Sequence, residues 1–292
     1  MRRIFIAGLL LTAAVLSAQT IKLTPQTLSP GSPVLIEITA DATAIDGTLR
    51  DQPVRFFHGA GDHWYALAGI DVEAPVEPVK LALKVHLANG TSSELAREIP
   101  LTPAHYRTAT ISVAPKFVAP PPEAEKEIAE EKELKDKLFG EANSRADEQP
   151  MWSADFRVPV KSQATDSFGT RRVVRSNTDA TQKIESIHKG MDFRAATGTP
   201  VHAANSGIVL LAQHLYFEGN CVILDHGFGL YTLYMHLSHI DVKAGERVTT
   251  GELLGLSGAT GRVTGPHLHW AVRYQNIYLD PGKLLKIELP KP

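Results

Sequence analysis

The chain has 292 residues, of which 43% are hydrophobic and 21% charged. This length accommodates two domains, and the composition is that of globular protein rather than a disordered or disulfide-rich chain. A formal net charge of −2 and a pI near 6.6 give no electrostatic drive toward nucleic acid or an anionic membrane surface, so no nucleic-acid partner is expected. The single cysteine, Cys221, excludes an intramolecular disulfide. Its apolar neighbours mark it as a small buried residue rather than a nucleophile.

Residues 1–18 read as a signal peptide. Met1-Arg2-Arg3 is followed by an apolar run from Ile4 to Leu16 and by Ser17-Ala18-Gln19, with cleavage expected after Ala18. The run is shorter than the roughly 20 residues of a spanning helix. No integral membrane span is therefore expected after cleavage, and the expected location is the periplasm or cell envelope. An uncleaved anchor is the alternative.

Residues 19–115 read as all-β. Val34–Thr39 has strand composition. Val79–Leu87 alternates with period two, Asn89-Gly90 supplies a turn, and Glu94–Leu101 is the expected return strand. Short strands punctuated by Gly, Pro and Asp point to a small β-sandwich. Two histidines here, His58 and His63, have no convergent third ligand and read as surface groups. Residues 116–150 change character. A Pro-rich tract at 119–122 precedes a Glu/Lys-rich stretch with sparse apolar points at Ile128, Leu134 and Leu138, expected to be a solvated linker helix. Residues 151–292 are β-rich and Gly-punctuated, with candidate strands at 191–194, 207–212, 221–225, 230–235 and 269–274. This segment reads as an autonomous catalytic domain.

Eight of the twelve histidines lie between His188 and His269, so they must be sorted. His188-Lys-Gly-Met-Asp192 places a histidine and a carboxylate four apart, with Gly190 favouring a turn into a strand. Gly265-Pro-His267-Leu-His269 places two imidazoles at i and i+2, which share one face of a strand. His236 follows an apolar, aromatic strand and is expected at that strand's end. A catalytic zinc site takes three imidazole or carboxylate ligands and keeps a fourth position for water, which this set can supply. No HExxH string and no Ser–His–Asp order competes.

These strings occur in an ordered set. Phe168-Gly-Thr-Arg-Arg172, His188–Asp192, Gly198-Thr-Pro-Val201, His226-Gly227, Tyr234-Met-His236-Leu237, Gly258-Ala-Thr-Gly261 and Gly265–His269 follow one another between residues 165 and 284. This segment resembles the lysostaphin-type zinc endopeptidases that cut bacterial peptidoglycan. The string Phe56–Asp71 is similar, more weakly, to the N-terminal immunoglobulin-like module of some bacterial cell-wall peptidases. The resemblance implies Zn2+ bound by His188, Asp192 and His269, with His267 as general base and His236 stabilising the oxyanion. It implies peptidoglycan peptide as substrate. None of these positions is substituted, which matters because some members of the family have lost them and act as non-enzymatic activators.

The expected architecture is therefore all-β: an immunoglobulin-like sandwich, a helical linker and a peptidase domain. The leading function is a secreted zinc metalloendopeptidase of peptidoglycan cross-links. The alternatives are a non-enzymatic wall-binding activator and a peptidase acting on another extracellular protein. Arg171 and Arg172 could meet carboxylates of a wall peptide or brace the core.

Overall fold

The structure is a computed structural model and describes residues 19–145, 149–152, 154–165 and 168–290. The expected signal peptide lies outside the described residues. No helix among them is long and apolar enough to cross a membrane.

The N-terminal part forms two four-stranded antiparallel sheets. One contains Thr20–Thr24, Pro33–Thr39, His63–Gly69 and Phe57–His58, and the other Gln52–Arg55, Ala42–Leu49, Val79–Leu87 and Ser92–Ile99. Strand Val79–Leu87 buries Val79, Leu81, Leu83 and Val85 and turns Lys80 and Lys84 out, as its alternation dictates. Those inward residues join Ile36 and Ile38 of the first sheet in one core. Gly90, at φ +84°, makes the hairpin turn into Ser92–Ile99.

The C-terminal part is built on one long sheet. Its order is Ala164–Thr165, Met191–Phe193, Leu268–Tyr274, Leu230–Leu237, Gly219–Asp225, Gly207–Leu215 and Arg247–Val248. The molecule is thus all-β in its sheets, as expected. The two faces of this sheet have different fates. Met191, Tyr234, Trp270 and Val272 pack into the same core as the N-terminal sheets. On the opposite face, Leu211, Ile223, Tyr231, Leu233 and Ala271 are covered by Phe139 and Ala142 of the helix Pro122–Asn143.

That helix corrects the expectation of a solvated spacer. Leu134, Leu138, Phe139 and Ala142 recur at helical spacing along one face, and that face is buried against the sheet. Phe139 meets Tyr231 edge-on with ring centroids 4.8 Å apart, and the Arg273 guanidinium lies 4.1 Å from the Phe139 ring centre. Lys135 pairs with Glu218, and Glu131 accepts from the Tyr216 amide at 2.8 Å. Ahead of the helix, Thr108–Val113 pairs in parallel with Arg171–Ser176. The last strand before the expected boundary at 115 therefore completes a sheet of the C-terminal part.

The two parts share further contacts. Asp280 donates its amide to Gly31 O at 2.8 Å, Lys283 reaches Ser29 and Ser32 at 2.7 and 3.0 Å, and Gln275 donates to Pro53 O at 2.8 Å. Phe57 packs on Trp152 and Phe228 at 5.8 and 5.9 Å.

Candidate metal centre

Asp192 sits in Met191–Phe193, directly opposite His269 in Leu268–Tyr274, and His269 is opposite Met235 in Leu230–Leu237. Pairing puts Asp192 and His269 on one face of the sheet, the face whose other end the helix covers. His188 lies just before the turn at Gly190. It is held by its amide to Thr170 O at 2.9 Å and by its carbonyl, which accepts from the Gly169 amide at 2.8 Å. A side chain at Gly190 would not fit, since a Cβ there would lie 2.5 Å from His269 Nε2 and 2.7 Å from Trp270 O.

Three ligand-type atoms converge. His188 Nε2 and His269 Nδ1 lie 3.1 and 2.8 Å from Asp192 Oδ1 and 2.9 Å from each other. This is the only such cluster of three among the described residues. Asp192 Oδ2 is engaged by Arg172 Nη2 at 3.2 Å, so the arginine orients the carboxylate. Burial works to raise the Asp192 pKa, but the two imidazoles facing it outweigh burial and hold the carboxyl far below the usual range. Burial drives His269 down to about 4, with Asp192 opposing. An ionised carboxylate and a neutral imidazole are the protonation states a metal requires.

The set fits one small cation of borderline character. Two imidazole nitrogens and one carboxylate oxygen are zinc donors, and bonds of roughly 2.1 Å in a tetrahedron hold ligands roughly 3.4 Å apart. The observed separations are slightly shorter than this. At 2.9 Å, His188 Nε2 and His269 Nδ1 cannot both carry protons, so at least one presents a lone pair toward the shared point.

His236 reaches the site by an irregularity. The pairing of Gly219–Asp225 with Leu230–Leu237 shifts between Asn220 and Val222, so Met235 and His236 together oppose Cys221. This β-bulge breaks the alternation that would leave His236 on the Tyr234 side. His236 adopts φ +65°, a conformation uncommon for non-glycine residues. Its ring centroid lies 4.9 Å from that of His267 and 6.0 Å from that of His269. His267 immediately precedes its strand and places Nε2 3.7 Å from Asp192 Oδ1.

One loop orients both of these histidines. His236 Nδ1 contacts Thr260 O at 2.9 Å and His267 Nδ1 contacts Gly265 O at 2.7 Å. A carbonyl can only accept, so Nδ1 carries the proton in each ring and Nε2 presents a lone pair when the ring is neutral. Burial and the neighbouring histidines push His236 down to about 3. The five side chains open onto a cleft of about 390 Å³. Arg262, which no sequence pattern distinguished, lines it as well.

The remaining histidines are elsewhere. His226 is fully buried, donates Nδ1–H to Ser206 O at 2.7 Å and accepts from Thr232 at 2.8 Å. His63 pairs with Glu37 at 3.0 Å, and His58 stacks edge-on against Trp64. Cys221 is buried, and burial raises its thiol well above the ordinary value.

A β-rich domain with a histidine–aspartate cluster at the end of its central sheet is built to hold a metal ion. The model of peptidase family M23 matches residues 186–281. The peptidoglycan DD-endopeptidase ShyA of Vibrio cholerae serotype O1 is 41% identical over 136 residues, covering 46% of this chain and 30% of that protein. The DD-carboxypeptidase/endopeptidase Mpg of Neisseria meningitidis serogroup B is 39% identical over 106 residues, covering 36% and 24% respectively. The chain thus spans less than a third of the length of these relatives. A Pseudomonas aeruginosa crystal structure assigned to peptidase M23 superimposes with a TM-score of 0.65 at 26% identity, covering 88% of this chain and 94% of that one.

Proposed function

We propose that this protein is an exported zinc endopeptidase that hydrolyses peptide cross-links of bacterial peptidoglycan in the periplasm or cell envelope. The observation that carries the reading is the convergence of His188 Nε2, Asp192 Oδ1 and His269 Nδ1 within 3.1 Å of one another in an open cleft. The relative named as a peptidoglycan DD-endopeptidase supports the substrate class.

His188, Asp192 and His269 would hold the ion, with Arg172 fixing the second oxygen of Asp192. The chemistry zinc supplies when bound is Lewis-acid polarisation of the scissile carbonyl and a water pKa lowered from 15.7 to about 7. His267 would act through Nε2, removing a proton from the attacking water and returning it to the departing amine as the C–N bond breaks. His236 stabilises the oxyanion. Burial keeps this ring neutral, so donation from Nε2 requires the Nε2–H tautomer, with the Nδ1 contact to Thr260 O given up as substrate binds.

The intact ligand and base set argues against a non-enzymatic activator. The test is metal analysis combined with digestion of defined muropeptides. About one zinc per chain and new peptide termini at a cross-link are expected, with zinc lost in Asp192→Ala. Full zinc occupancy in that variant, or zinc-loaded protein that leaves every cross-link intact, would sink the reading.

A further inference from the structure

Three cationic side chains line the cleft: Arg172, Lys189 and Arg262. Two are committed. Arg172 holds Asp192 at 3.2 Å, and Lys189 pairs with Glu73 at 3.2 Å and faces the Tyr278 ring. Arg262 differs. Its guanidinium lies over Phe217, 4.8 Å from the ring centre, and meets no carboxylate within ion-pair distance among the described residues. Glu218, the other acid lining the cleft besides Asp192, pairs through Oε1 with Lys135 and acts on Arg262 only from beyond ion-pair distance.

The position of Arg262 is built rather than incidental. Its amide donates to Phe217 O at 2.9 Å. Gly261 before it adopts φ +73°, and a Cβ there would lie 2.3 Å from Gly219 N and 2.6 Å from Phe217 O. Thr260 Oγ1 accepts from the Asn220 amide at 2.9 Å and donates to Leu237 O at 2.8 Å. The loop is therefore locked onto the sheet, and the guanidinium lies over an aromatic ring. Arg262 falls between Thr260 and Gly265, whose carbonyls orient His236 and His267. A partly desolvated, pre-oriented guanidinium with its fork open is suited to a carboxylate.

We propose that Arg262 is a specificity-determining residue that binds a free carboxylate on the substrate residue flanking the scissile bond. This rests on the peptidase reading above. It selects cross-links in which a neighbouring amino acid keeps a free α-carboxylate, and it disfavours polyglycine bridges, whose internal residues carry none.

The test uses two synthetic cross-linked peptides that differ only in whether the flanking carboxylate is free or amidated. Affinity is measured by calorimetry on the full chain in chelator, and turnover on the zinc-loaded chain. The parent should bind the free acid roughly tenfold or more tightly than the amide, the scale of a charge-assisted contact. Arg262→Gln should bring the two within about twofold by weakening only the acid, and Arg262→Lys should fall between, because an ammonium lacks the fork. Equal binding of acid and amide by the parent overturns the proposal, as does an undiminished preference in Arg262→Gln with parent-like circular dichroism. An Arg262-dependent preference without cleavage of either peptide would defeat the peptidase reading and leave the carboxylate site standing. Cleavage of both peptides at one rate with one affinity would do the reverse.

Discussion

Gly190→Ala tests whether the metal centre depends on backbone closeness at the turn that carries His188 and Asp192. The added methyl would lie 2.5 Å from His269 Nε2 and 2.7 Å from Trp270 O. Ordinary contact begins at 3.4 Å, so the imidazole or the turn must yield by about 0.9 Å, the difference between those two distances. Trp270 O belongs to a paired strand and cannot move freely. Overpacking of this kind costs roughly 1–3 kcal/mol, and metal sites tolerate only about 0.2 Å in ligand distance. Zinc affinity should therefore fall at least tenfold, while the zinc-free protein loses roughly 1–3 kcal/mol in urea. Gly265→Ala is the control, because a Cβ there meets nothing within 4 Å. The assay is zinc titration against a competing chelator, with urea unfolding in parallel. Parent-like zinc affinity and stability in Gly190→Ala would refute the reasoning.

Three further outcomes follow from the geometry. His267→Ala and His236→Ala should each keep about one zinc by metal analysis yet lose peptidase activity by roughly 10²-fold or more, and parent-rate turnover by either would remove its assigned role. A fragment covering 151–292 should fail to fold, contrary to the autonomy expected from sequence, because it lacks the partners of Val174 and Tyr231. A fragment beginning near residue 102 should restore these contacts, and circular dichroism melts of the two would distinguish them. Burial pushes the His226 pKa from 6.5 down to about 4, with Ser206 O opposing. The unfolded chain therefore binds more protons between those values. Stability from this group is full above pH 6.5 and is lost as pH falls toward 4, by an amount of order 3 kcal/mol. His226→Gln should flatten the urea midpoint against pH across that window relative to the parent, and an unchanged slope would count against this origin.

The sequence by itself determined the chemistry available and the local geometry of its parts. Period-two alternation in Val79–Leu87 fixed which side chains point inward, and the same rule made His267 and His269 face together. Residue type and short spacing, which are local properties, made the five residues candidates, and the resemblance implied their roles. The tertiary structure decided what depended on contacts between distant segments. Only pairing of Met191–Phe193 with Leu268–Tyr274 sets Asp192 opposite His269, and only the bulge opposite Cys221 turns His236 to their side. Glu/Lys-rich composition concealed the apolar face of the helix Pro122–Asn143, because a narrow stripe ending in Phe139 and Ala142 gains its meaning from the sheet beneath it. The tautomers of His236 and His267 rest on two backbone carbonyls of one loop, which no side-chain pattern encodes. Arg262 likewise acquires a role only from the cleft that the fold closes around it.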